Sequence, residues 1–198
     1  IARKAADRAI AAGLDPADHD AHVPVCYWCY AKGGYFGMCQ SVRDCYARNT
    51  AALDAGELEC VPTFDGRSVN TPVRYDTHGE ISSPMCLHNY VLIAKHNPGT
   101  RFALLTKAIY ICREYFATHE KQGNLIITVS SFLVNHALND KLLSEPWVDN
   151  IFTVYDKGFA EKYGITPNCL CYTGSCKDCK RCARRDNADP HTREILRR

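Results

Sequence analysis

The chain lacks any run of about 18 or more apolar residues, the length a membrane-spanning helix needs. Its longest candidate, residues 124–138, is interrupted by polar side chains, so a spanning helix is excluded. Also missing are GxSxG, a P-loop and GxGxxG, which removes the main support for a serine hydrolase, a nucleoside triphosphatase or an ordinary dehydrogenase. An excess of one charge is absent too: 24 Lys and Arg stand against 22 Asp and Glu, for a net charge of +2. That balance is not the footprint of a strongly basic nucleic-acid binder. What is present, 46% hydrophobic and 23% charged residues over 198 positions, lies far from the disordered class and is enough for one domain with a core over 1–198.

Twelve of the residues are cysteine. This exceeds ordinary usage but falls below the roughly 8–10% of a disulfide scaffold. Disulfide frameworks scatter along a chain, whereas metal sites gather into short knuckles, and here the cysteines gather.

Residues 1–25 read as an N-terminal helix (2–14) followed by a loop with two prolines. Residues 26–168 carry a cysteine loop and a series of βα units. A helix is predicted over 38–53, entered through the glycine-rich KGGYFG. Strands are predicted at 73–76, 101–105, 125–130 and 150–155, with helices at 84–96, 107–120, 134–143 and 157–163. Strand starts recur about every 25 residues, the length of a βα unit, so the strands should be parallel. The expected fold is α/β, either an open parallel sheet or a partial (β/α) barrel with a cysteine-rich end. Residues 169–182 form a cysteine knuckle, and 183–198 read as a solvated polar tail or a surface helix.

The knuckle, CLCYTGSCKDCKRC, offers Cys169, Cys171, Cys176, Cys179 and Cys182 as metal ligands. Its CxxCxxC run is the spacing with which small ferredoxins hold iron–sulfur clusters, while zinc takes similar pairs, so both metals stay open. Local disulfides are the bland alternative. A second group is His22-x3-Cys26-x2-Cys29, in which Cys26 and Cys29 are candidate ligands and His22 is either a ligand or a loop histidine. Cys39 and Cys45 read as core or rim residues, and Cys60, Cys86 and Cys112 as small buried hydrophobes.

In an α/β fold the carboxyl ends of the strands collect ligands. The first of these ends carries RYDTHGEIS, where Asp76 and His78 are candidate acid and base partners. Gly79 and Glu80 there suit an ammonium group, although Glu80 equally suits the N-terminus of the following helix. Thr106 and Lys107 follow the next strand, and Ser130 with Ser131 the third, completing a rim that fits a polar or anionic ligand.

In order, CYWCYAKGGYFGMCQSVRDCYARN, VRYDTHGEIS with IAKHNP, RFALLTKA, LIITVSS and the closing cysteines resemble a phage and prophage family known as gene product 88, over roughly residues 26–182. That family is described as radical-S-adenosylmethionine-like. The resemblance implies a partial βα barrel in which the N-terminal cysteine loop and the knuckle meet around an iron–sulfur cluster. Gly79 and Glu80 resemble the GGE element that holds the methionyl amine in radical S-adenosylmethionine enzymes, whose cluster loop is CxxxCxxC. Here His22 occupies the position of the first cysteine of CxxxCxxC, and Ala183 follows the knuckle where an aromatic residue is more usual.

The expectation is therefore an iron–sulfur (4Fe–4S) protein, an enzyme if one iron stays open to S-adenosylmethionine, with a nucleic-acid component or a peptide as substrate. The alternative is a zinc-stabilised module that binds nucleic acid or another partner without catalysis, through Lys177, Lys180, Arg181, Arg184, Arg185, Arg193, Arg197 and Arg198. Thiolate sites of this kind persist in a reducing interior, so the cytoplasm is the expected compartment and no membrane is involved.

Overall fold

The computed structural model describes residues 23–25, 39–64, 71–76, 79–170 and 176–196. The elements are α1 (Gln40–Ala55), β1 (Val73–Tyr75), α2 (Pro84–His96), β2 (Phe102–Thr106), α3 (Ile109–Phe116), β3 (Leu125–Ser130), a 3-10 turn (Asp140–Ser144), β4 (Asn150–Tyr155), α4 (Lys157–Lys162), α5 (Cys176–Cys179), a second 3-10 turn (Arg181–Ala183) and β5 (His191–Ile195). The strands form one sheet in the order β1-β2-β3-β4-β5, and every pair is parallel. With β1 and β5 as its edges the sheet is open, which is the first of the two architectures expected from the sequence.

Alternation along the strands divides the sheet into two faces. Phe102, Leu104, Leu125, Ile127, Val129 and Ile151 share one face and are buried with Leu87, Tyr90, Ile93 and Ala94 of α2 and Ile111, Cys112 and Tyr115 of α3. Burial of such side chains contributes about 1.5–3 kcal/mol each. Local chemistry starts α2 where the sequence turns polar: Pro84 is at its first turn, and the Ser83 hydroxyl accepts the Cys86 N–H. Asn89, fully buried on α2, ties α1 down by donating to the Leu53 and Gly56 carbonyls and accepting the Leu58 N–H. α3 stops at Phe116, short of the predicted 120, where the Thr118 hydroxyl and the His119 ring both engage the Tyr115 carbonyl.

Two segments depart from expectation. The helix predicted over 134–143 is replaced by extended chain and the short 3-10 turn. Ser131 and Asn135 donate their N–H groups to Phe152 and Val154 at the end of β4, and Val134 donates to Val23, so these groups are unavailable to a helix. Asn135 sits at φ 65°, and its side chain accepts the Asp156 N–H. The tail read over 183–198 instead contains β5. Its stability comes from main-chain pairing with β4 and from Asn168, which accepts the Arg193 N–H and donates to the His191 carbonyl along the outer edge. Only Thr192 of that strand is buried, so hydrophobic periodicity could not announce it. The helix predicted over 2–14 lies outside the described residues.

Candidate functional site at the sheet and its cysteine knuckle

The carboxyl ends of β1 and β2 are clasped together by Glu80. Its carboxylate accepts the Thr106 hydroxyl, the Lys107 N–H at 2.7 Å and the Ile81 N–H at 3.1 Å. Thr106 passes the chain onward by accepting the Ala108 N–H at 3.0 Å. Gly79, at φ 128°, turns the chain in a region that disfavours any side chain. Both oxygens of Glu80 are thus engaged by the protein itself.

Asp76 is different. It adopts φ 46°, uncommon for a non-glycine residue, and turns toward α2, where Oδ1 accepts the Tyr90 hydroxyl at 2.8 Å. Its Oδ2 is buried and has no hydrogen-bond partner among the described residues. Burial pushes the Asp76 carboxyl above its ordinary value, the Tyr90 hydrogen bond pulls it down, and the charge of Glu80 adds to the rise. Tyr90 is held in turn: its ring stacks on Tyr75 at 4.2 Å, and the Tyr75 hydroxyl donates to the Tyr90 carbonyl. His78 lies outside the described residues. Ser130 is buried and donates to the Ser131 carbonyl, while the Ser131 hydroxyl is buried without a partner among the described residues.

The second face of the sheet carries the knuckle. Thr128, in the middle of β3, donates its hydroxyl to the Cys182 carbonyl at 3.1 Å, and Asn150 at the start of β4 donates to the Arg184 carbonyl at 2.8 Å. Cys182 brings its sulfur to 4.0 Å from the Thr192 hydroxyl of β5. Burial pushes the Cys182 thiol up to about 11, against the lowering influence of Thr192 and Arg74, while the neighbouring Cys179 and Cys176 thiols add to the rise. All three are free thiols, Cys176 exposed and the other two half-buried. The Cys169 N–H donates to the Arg193 carbonyl at the edge of β5. Cys171, Cys26, Cys29 and His22 lie outside the described residues.

One strand connects the two cysteine regions. Just beyond β3, the Phe132 carbonyl accepts the Val25 N–H at 2.9 Å, and Val134 donates to the Val23 carbonyl at 2.9 Å. The residue after Val25 is Cys26. Thr128 and Phe132 are four residues apart, about 13 Å of extended chain.

Among the described residues, no group of three or more His, Cys, Asp or Glu side chains is arranged to hold a metal ion. The donor chemistry of the knuckle nevertheless fits a soft metal, because three free thiols recur at CxxCxxC spacing on one short stretch. Ligands of a multi-iron cluster surround it from several sides and need not converge on a point as around a single ion.

Four arginines in and after the knuckle lie against carboxylates. Arg181 and Arg193 face Asp189, Arg184 faces Asp186, and Arg185 faces Asp149. Asp149 also takes the buried Lys121 ammonium and the Ile127 N–H. This network borders an open groove of about 730 Å³ at the amino ends of β3 and β4, lined in part by Phe116, His119 and Trp147 and remote from the rim. Cys86 and Cys112 are buried, as expected for lone cysteines, whereas Cys60 is exposed because it lies on the connection after α1 rather than under a helix. Sequence reasoning missed Tyr90, Thr128, Asn150 and Asn187. None of the four belongs to a pattern that marks its partner.

No helix among the described residues is long and apolar enough to cross a membrane. No curated protein and no solved structure matches the chain. The model of one family, described as Gene product 88, matches residues 16–185, a span that includes the clasped rim and every cysteine discussed above. An open parallel sheet with a cysteine knuckle on one face is thus the form taken by this chain, which belongs to the Gene product 88 family.

Proposed function

We propose that the chain is an iron–sulfur protein of the radical-S-adenosylmethionine-like kind, with one cluster held between the loop that begins at Cys26 and the knuckle that ends at Cys182. The single observation that carries this reading is the shared anchorage on β3 and the chain just beyond it: Thr128 holds Cys182, and Phe132 holds Val25, the residue before Cys26. The ligands would come from Cys26, Cys29, Cys169, Cys171, Cys176, Cys179 and Cys182. When bound, a cluster of the 4Fe–4S type supplies one-electron redox chemistry.

The chain's own residues would then bind and orient a cosubstrate at the carboxyl rim. With Glu80 engaged by Thr106 and Lys107, the carboxylate oxygen left unpaired there among the described residues is the buried Asp76 Oδ2, and an ammonium or hydroxyl donor of S-adenosylmethionine that entered beside it would satisfy it. Gly79 adds no side chain at this rim, and a Cβ there would meet no described atom within 4 Å. Glu80 fixes the loops that frame the site. The contacts of Arg181, Arg184, Arg185 and Arg193 with three aspartates reduce the charge those four offer to phosphates, which favours this reading over a nucleic-acid-binding module.

Cysteine footprinting tests the ligand set. The chain is alkylated as isolated without oxygen, and again after chelation under reducing conditions, with each site read by mass spectrometry. Protection of Cys26, Cys29 and the knuckle cysteines that is lost on chelation is the expected result. Protection of the knuckle alone would leave a structural ion such as zinc and remove the shared cluster.

A further inference from the structure

The seat of the knuckle on the sheet is made by two amides. Asn150 is fully buried, on a sheet face where an aliphatic side chain would be the ordinary choice for a strand start. Its Nδ2 donates to the Arg184 carbonyl at 2.8 Å, and its Oδ1 accepts from Asn187 Nδ2 at 2.7 Å. Asn187 Nδ2 is also placed toward the Arg181 carbonyl at 2.8 Å and the Arg184 carbonyl at 3.1 Å. Between them the two amides address the carbonyls at both ends of the 3-10 turn Arg181–Ala183, and the residue inside that turn with a sulfur is Cys182.

We infer that Asn150 and Asn187 are positioning residues that fix the orientation of Cys182 toward its metal. The inference rests on the reading of the knuckle as metal-binding. A buried amide such as that of Asn150 is costly unless fully hydrogen-bonded, and here every side-chain contact goes either between the two amides or to the 3-10 turn and the residue that ends it. Thr128 fixes the same turn from β3 through the Cys182 carbonyl, so the turn is held at three successive points, Arg181, Cys182 and Arg184. The three contacts hold the main chain of the turn, and the Cys182 sulfur lies 4.0 Å from the Thr192 hydroxyl. Outer partners of this kind orient a ligand without touching the metal, and their loss typically weakens metal retention about 10- to 100-fold.

The test compares wild type, N150L and N187A, purified without oxygen, by the rate at which bound metal passes to a chelator and by the unfolding temperature of the metal-stripped chains. Asn187 is half-exposed, so N187A is the variant least prone to fold poorly. Metal loss about 10- to 100-fold faster in both variants, with the metal-stripped chains unfolding as wild type does, is the expected result. Release at the wild-type rate overturns the inference while leaving the metal reading in place. Faster release matched by an equal loss of stability in the metal-stripped chain assigns the pair a structural role only, and also overturns it. A wild-type chain that carries no metal overturns the underlying reading, and the inference with it.

Discussion

Thr128 donates its hydroxyl to the carbonyl of Cys182 across 3.1 Å, although 54 positions separate the two residues in the chain. That bond, together with the contact from Asn150 to Arg184, makes the knuckle a docked layer on the sheet rather than an appendage. The same strand leads directly to Phe132 and thence to Val25, so the sheet organises both ends of the cysteine inventory while its other face is occupied by α2 and α3.

Glu80 provides the first check. Because both of its oxygens are engaged by Thr106, Lys107 and Ile81, E80Q places an amide hydrogen against a main-chain N–H or leaves a hydroxyl without its acceptor. A loss of about 1–3 kcal/mol in urea denaturation is expected, the usual cost of leaving a partly buried donor unsatisfied. Wild-type stability in E80Q would mean that the clasp is dispensable and that the carboxylate serves something else.

Asp76 makes stability depend on pH. Its folded-state carboxyl is raised above the ordinary 3.8, so in the window above that value the native state binds more protons than the unfolded chain. Stability from this group therefore falls as pH rises through the window, reaching its full penalty above the raised folded-state value. D76N keeps the acceptor for Tyr90 and removes the charge. It should be more stable than wild type at about pH 7, with the gap closing toward about pH 4. An equal difference at both pH values would contradict this.

At the opposite end of the sheet, Asp149 joins Lys121, Arg185 and the Ile127 N–H, and the side chains of both Lys121 and Asp149 are almost fully buried. Burial lowers the Lys121 ammonium from its usual value, with Arg185 adding to the lowering and Asp149 opposing it. D149A strands that ammonium, and a loss of about 3–5 kcal/mol is expected. The measurement is the chemical-denaturation midpoint. A change below about 1 kcal/mol would show that the pair is solvated rather than buried.

Thiol reactivity separates the cysteines by environment. Burial pushes the Cys112 thiol up to about 12 and raises Cys86 as well, so neither should alkylate in the native protein at about pH 8. Exposed Cys45 and Cys60 should react within the same interval. Native labelling of Cys112 at a rate similar to Cys60 would place its thiol in solvent and undo the packing described for α3.

The strands with continuous apolar runs were legible in the sequence. Residues 125–130 and 150–155, and the helix over 84–96, have the bounds their patterns predict, because β3, β4 and α2 are built mainly of residues that the core buries. What could not be read is held by polar contacts between distant residues. β5 depends on the edge of β4 and on Asn168. The extended chain after β3 depends on Val23 and on the end of β4. At the rim, the polar residues at the strand ends were legible, but their roles were not. A Gly-Glu pair has the same sequence whether its carboxylate meets a ligand or, as with Glu80, the next loop. Asn150 and Asn187 carry no pattern of their own, since an amide's partner is defined only once the turn it binds has docked.

Iron and acid-labile sulfide, measured per chain on protein purified without oxygen and followed by absorption before and after dithionite, test the central claim most directly. About four iron and four sulfide, with a broad band near 400 nm that bleaches on reduction, is the result the shared-cluster account expects. Stoichiometric zinc without sulfide, or a chain free of metal whose cysteines all titrate as thiols, would contradict it.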